Sequence, residues 1–148
     1  MIPRAALILG LAGLIPFVWG ALSQLSPALA ETGLGMLGPR FIGPYVSLAY
    51  GTVILAFMSG VLWGFATRAE GSEAALGYGL SVIPALWAFF FVGGGPVSAA
   101  IWLAAGFVLL LMLDAMFWTR GLAPPWWMRL RLLLTAVVLA CLAVPILA

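Results

Sequence analysis

Apolar residues in this chain run in long unbroken blocks; they do not alternate, and they are not confined to every third or fourth position. Five blocks, at about 5–25, 44–66, 74–93, 97–118 and 127–147, fill almost the whole sequence. A hydrocarbon core is about 30 Å thick, and about 20 helical residues cross it. Strands of a membrane barrel would alternate and run only about 10 residues. The pattern therefore predicts an all-α fold, an integral membrane bundle of five transmembrane helices. The polar remainder is too short for a second core, so residues 1–148 are expected to form one domain.

The interruptions are as informative as the blocks. The first loop, 26–43, is long and rich in glycine and proline, and its Leu34, Met36 and Leu37 suggest a short segment at the outer interface. Gly93-Gly94-Gly95-Pro96 predicts a tight turn between spans three and four; glycine supplies free backbone and proline a preset φ for a helix restart. Pro124-Pro125 separates spans four and five. Pro16 and Pro84 fall inside spans one and three, where each removes a backbone hydrogen bond and is expected to kink its helix. Their settings echo one another, Ile15-Pro16-Phe17-Val18-Trp19 against Ile83-Pro84-Ala85-Leu86-Trp87. Such an echo fits a duplicated hairpin, and it also arises readily in sequence rich in tryptophan and phenylalanine.

Composition sharpens this picture. Hydrophobic residues make up 66% and charged residues 7%, with no histidine or lysine. The net charge of +2 is no sign of nucleic acid, because its six arginines are scattered rather than clustered. They set orientation instead. Arg4, Arg68, Arg120, Arg129 and Arg131 fall on one side of a five-span chain and Arg40 on the other. The positive-inside rule then predicts a cytoplasmic N-terminus and an outside C-terminus. Arg4, an apolar run and Ala28-Leu29-Ala30 imitate a secretory signal, but the run exceeds the usual length of about 7–15 residues. It is read as the first transmembrane helix. No Arg- and Ser-rich transit stretch is evident, so a multi-pass protein of a bacterial inner membrane is expected.

Chemistry-bearing residues are few. The absence of histidine and the single Cys141 argue against ordinary haem, iron–sulfur and zinc ligation. No phosphate loop, nucleophile elbow or carboxylate cluster appears. No catalytic, cofactor-binding or metal-binding residue is expected, and no enzyme activity. Asp114 is the exception that asks for an explanation, since a charge inside a span is costly and usually paired or functional. Arg131 or, failing that, Arg129 opens span five at a similar depth, so a structural ion pair between spans four and five is expected. A proton relay would need further protonatable groups deep in the membrane, and Glu31, Glu70 and Glu73 all lie in loops or at span ends. Ala56, Gly60 and Gly64 form a ridge of small residues suited to close helix packing. Trp126 and Trp127 are placed as interface anchors.

Several of these stretches together resemble one family. Gly13-Leu14-Ile15-Pro16-Phe17, Tyr50-Gly51-Thr52 leading to Ser59-Gly60, Ser81-Val82-Ile83-Pro84, Asp114, Leu122-Ala123-Pro124-Pro125-Trp126 and Leu130 to Thr135 occur in the order found in the DUF3429 family. That family includes mitochondrial and bacterial TMEM69-like proteins. The resemblance implies a small multi-span protein and no particular activity.

Minimal loops, absent chemistry and small-residue faces lead to the expectation of a non-enzymatic accessory, scaffold or assembly subunit. Its partners would be the bilayer and a larger membrane protein complex. The alternative is a small-molecule or lipid binder or transporter using the proline-kinked helices one and three.

Overall fold

A computed structural model describes all 148 residues. The chain is all-helical, and five helical stretches are long and apolar enough to cross a membrane: Arg4–Leu25, Tyr45–Ala66, Gly71–Phe91, Pro96–Thr119 and Trp127–Leu147. Two of them are interrupted. Span one consists of α1 (Arg4–Ala12) and α2 (Ile15–Leu25). Helix α3 (Pro27–Leu37) and a 3-10 turn (Pro39–Phe41) follow, then span two as α4 (Tyr45–Ala66). Span three consists of α5 (Gly71–Ser81) and α6 (Ile83–Phe91), span four is α7 (Pro96–Thr119), and span five is α8 (Trp127–Leu147).

The prolines do more than bend their helices. Each lies in the first turn of a restarted helix, Pro16 in α2 and Pro84 in α6, with a turn before it at Gly13-Leu14 or Val82. The ring cannot donate and clashes with the carbonyl one turn earlier, so the ladder lapses there. Span two repairs the second lapse, where Ser59 Oγ accepts from the Ala85 N–H at 2.8 Å. A backbone donor released inside a membrane thus finds a side-chain acceptor on the neighbouring helix.

The first loop holds more regular structure than the short interfacial segment expected from sequence. Ser26 accepts from the Leu29 N–H, and Pro27 opens α3, a favourable pair of N-terminal signals. Leu34, Met36 and Leu37 all face outward from this helix. Between spans three and four, Gly94 (φ +80°) and Gly95 (φ +104°) make the turn in a region that side-chain-bearing residues rarely enter.

Helices α4 and α7 lie at the centre. Helix α4 packs against α2, α5, α6 and α7, and α8 packs against α7, α2 and α1. Spans one, two, four and five therefore form a ring, with span three laid against two and four. Leu55, Leu62, Leu103, Phe107, Leu110 and Leu142 are fully buried in this core, and Phe17 meets Phe107 and Tyr50 edge-on. At one end, Arg68 Nη1 donates to the Leu122 carbonyl at 3.2 Å, tying the loop after span two to the loop after span four. At the other end, Trp19 Nε1 donates to the Phe41 carbonyl at 2.7 Å. Helix α1 stands apart, for it has no buried residue.

The Ala56–Gly60–Gly64 ridge does not pack within the chain. All three residues are exposed, and a Cβ added at Gly60 or Gly64 would meet nothing within 4 Å. The packed face of α4 instead carries Ser47, Gly51, Leu55, Ser59, Leu62 and Ala66. The close approach belongs to Gly20 on α2, where an added Cβ would fall 2.0 Å from Ser47 Oγ. Spacing alone gives a helix its faces, while the face that turns inward depends on its neighbours.

Candidate functional site

Of the ten charged side chains, eight are exposed; only Asp114 and Arg131 are buried. These two meet. Asp114 lies on the inward face of α7, five residues before its end at Thr119, and has no exposed surface. Arg131 lies in the second turn of α8 and is 5% exposed. Its Nε donates to Asp114 Oδ2 at 2.7 Å, and Trp127 Nε1 donates to Asp114 Oδ1 at 2.9 Å. Each carboxylate oxygen thus has its own donor, and the opposite charges reduce one another's burial cost. Arg129 points outward and takes no part.

Helix geometry explains the convergence. Trp127, Arg131 and Thr135 are spaced four apart, so their side chains stack on one face of α8. That face looks toward α7 at its first two turns and toward an open cavity beside it. Trp127 is therefore more than an interface anchor, since its indole N–H is used inside the bundle and its ring meets Phe65 edge-on at 5.1 Å. Trp126 meets it edge-on at 5.8 Å and lines the cavity.

The cavity has a volume of about 520 Å³ and lies between spans one, two and five. Its walls are Leu9 and Phe17 from span one, Val53 and Phe57 from α4, and Leu134 and Val138 from α8, with Phe107 of α7 also facing it. Arg131 and Thr135 are the polar groups of its α8 wall, and Tyr50 of α4 faces it too. A broken span one opens this space: α1 lies against α8, and no strong contact ties it to α4. Leu9, Val53 and Phe57 are all more than half exposed, so the mouth lies between α1 and α4 on the outer face of the bundle. Span three contributes nothing to the walls, so Pro84 shapes packing and not this space, contrary to a site built from both kinked helices.

Arg131 Nη2 and Thr135 Oγ1 are buried and hydrogen-bond to nothing in the chain. Ser47 Oγ is likewise without a partner, but it sits at the α2–α4 contact away from the cavity. The sequence gives Thr135 no distinguishing mark beyond its position one turn after Arg131, which is the signal that could have located it. Chemically, the arrangement offers an apolar chamber of ligand size with two polar side chains, Arg131 and Thr135, in one wall.

Known proteins share this segment. The family described as a protein of unknown function, DUF3429, matches residues 2–147. Over 140 residues the chain is 36% identical to transmembrane protein 69 of Xenopus tropicalis, covering 91% of this chain and 51% of that protein. The chain thus spans about half the length of this relative. No solved structure matches it.

Proposed function

The chain belongs to the DUF3429 family, whose shared segment is the five-span bundle itself, and we propose that this bundle binds an apolar small molecule or lipid within the bilayer. The observation that carries the reading is the cavity of about 520 Å³ between spans one, two and five, apolar over most of its wall and edged by buried Arg131 and Thr135. Cavities of about 300–1,000 Å³ with few, fixed polar groups are typical of small-molecule sites. The role is binding and not turnover: Asp114, the one buried carboxylate, is already engaged by Arg131 and Trp127. A cavity-filling substitution tests it. Gly13→Phe or Val138→Trp should expel a photoreactive lipid from the wall formed by α8 while the purified protein stays monodisperse. Equal labelling of filled and unfilled protein would sink the reading.

The membrane we assign is a bacterial inner membrane, with the ends bearing Arg4, Arg68, Arg120 and Arg129 in the cytoplasm. The arginine bias supports the orientation, and fractionation of inner from outer membranes tests the location. A second reading has its own support. The outward Ala56–Gly60–Gly64 ridge suits close approach by a helix of a larger membrane complex, for which this chain would be an accessory subunit. If so, Gly60→Leu should abolish copurification of a defined subunit from native membranes in mild detergent. Unchanged copurification, or a protein that runs alone before the change, would remove that reading.

A further inference from the structure

The cavity's walls say what kind of head group its occupant carries. Two hydrogen-bonding atoms, Arg131 Nη2 and Thr135 Oγ1, are buried, unpartnered and carried by side chains that line it. A guanidinium has five N–H donors and no acceptor. Here Nε is committed to Asp114, and Nη2 has no acceptor in the chain. A threonine hydroxyl inside a helix commonly bonds the carbonyl one turn back, yet Thr135 bonds to nothing. Thr135 follows Arg131 by four residues, so the two side chains stand on one face of α8.

Charge decides between candidate acceptors. Arg131 attracts anions, but Asp114 lies 2.7 Å from it with no exposed surface, so the pair is already neutral. A carboxylate or phosphate in the cavity would add an uncompensated charge in a low-dielectric setting. A carbonyl oxygen adds none, and it accepts from either an N–H or an O–H donor. The remainder of the wall, with Phe17, Phe57, Leu134 and Val138 among its side chains, suits a hydrocarbon body. The mouth between α1 and α4 is bordered by Leu9, 72% exposed, in a span apolar enough to cross a membrane, so its rim offers an apolar approach.

We infer that the cavity takes an uncharged amphiphile with a carbonyl-type oxygen, an ester, ketone or quinone, held by the Arg131 guanidinium and the Thr135 hydroxyl. This rests on the cavity reading proposed above, and the test separates the two. Three probes share one alkyl chain carrying a mid-chain diazirine: the methyl ester, the carboxylate and the plain hydrocarbon. Each is photolysed with the full chain in lipid nanodiscs, and the labelled residues are mapped by mass spectrometry. The ester should label the cavity wall most strongly. Thr135→Val, which keeps the shape and removes the hydroxyl, should weaken ester labelling roughly threefold to tenfold, the worth of one hydrogen bond. It should leave the hydrocarbon unchanged, and Thr135→Ser should restore the ester. Equal labelling by ester and hydrocarbon would overturn the head-group inference while the cavity reading stands. Preference for the carboxylate would overturn the requirement for an uncharged head. Labelling of the cavity by none of the three would remove both readings.

Discussion

Replacing Asp114 with alanine removes the acceptor of two donors at once, one buried and one half-buried. Arg131 loses its counter-charge and its Nε bond, Trp127 loses its Nε1 bond, and Nη2 is already unpartnered. Breaking a buried pair from one side costs about 3–5 kcal/mol, because the remaining charge has no compensation. Arg131→Leu should cost a similar amount, since it leaves a fully buried carboxylate held by one indole N–H. The double change Asp114→Leu with Arg131→Leu removes both charges and leaves only Trp127 Nε1 without an acceptor. That residue of loss is about 1–3 kcal/mol. The single losses would sum to about 6–10 kcal/mol, so the coupling between the two sites should reach about 3 kcal/mol or more. Adding Trp127→Phe to the double change should recover most of what remains. The assay is reversible unfolding by sodium dodecyl sulfate titration in mixed micelles, followed by labelling of Cys141, the chain's only thiol. Single losses below about 1 kcal/mol, or losses that add without coupling, would refute the view that this pair holds spans four and five together.

Two further outcomes follow from the packing and one from the arginine bias. Ser59→Ala should cost about 1–3 kcal/mol in the same titration by leaving the Ala85 N–H without its acceptor, and should speed amide exchange at Ala85. Gly20→Ala should cost about 1–3 kcal/mol because its Cβ would fall 2.0 Å from Ser47 Oγ, whereas Gly60→Ala, with nothing within 4 Å, should stay within about 0.5 kcal/mol. Cysteines placed at Ser72 and Gly121 in a Cys141→Ala background should be labelled by an impermeant thiol reagent only from the cytoplasmic side, and one at Gly35 only from the other; the reverse pattern would overturn the arginine-based orientation.

Those outcomes also mark how far the amino-acid pattern carries. Span number and approximate bounds are legible because apolar length is set by bilayer thickness, a constraint external to the chain. The neighbourhood of Asp114 and Arg131 is legible for a related reason: a charge in a span needs a partner, and few residues were available. The inward face of α4 is not. Ala56–Gly60–Gly64 and Ser47–Gly51–Leu55–Ser59 are equally plausible packing stripes on one helix, and nearly uniform apolarity erases the contrast that marks a core face in a water-soluble helix. Trp127 hides for another reason. An indole at the start of a span has the same sequence signature whether its N–H meets lipid head groups or Asp114. The cavity itself has no local signature, since it arises from the departure of α1 from α4 beyond the break before Pro16.

That departure sets what affinity would mean under the binding reading proposed above. With its mouth between α1 and α4, the cavity has no fixed wall on one side, so under that reading acyl chains of the surrounding leaflet would complete it. Any occupant is therefore exchanged against bulk lipid that is never dilute. Its relevant concentration is a mole fraction in the membrane plane, insensitive to the volume of water outside. Occupancy should shift with chain length and saturation of the host lipid even when the amount of ligand is unchanged.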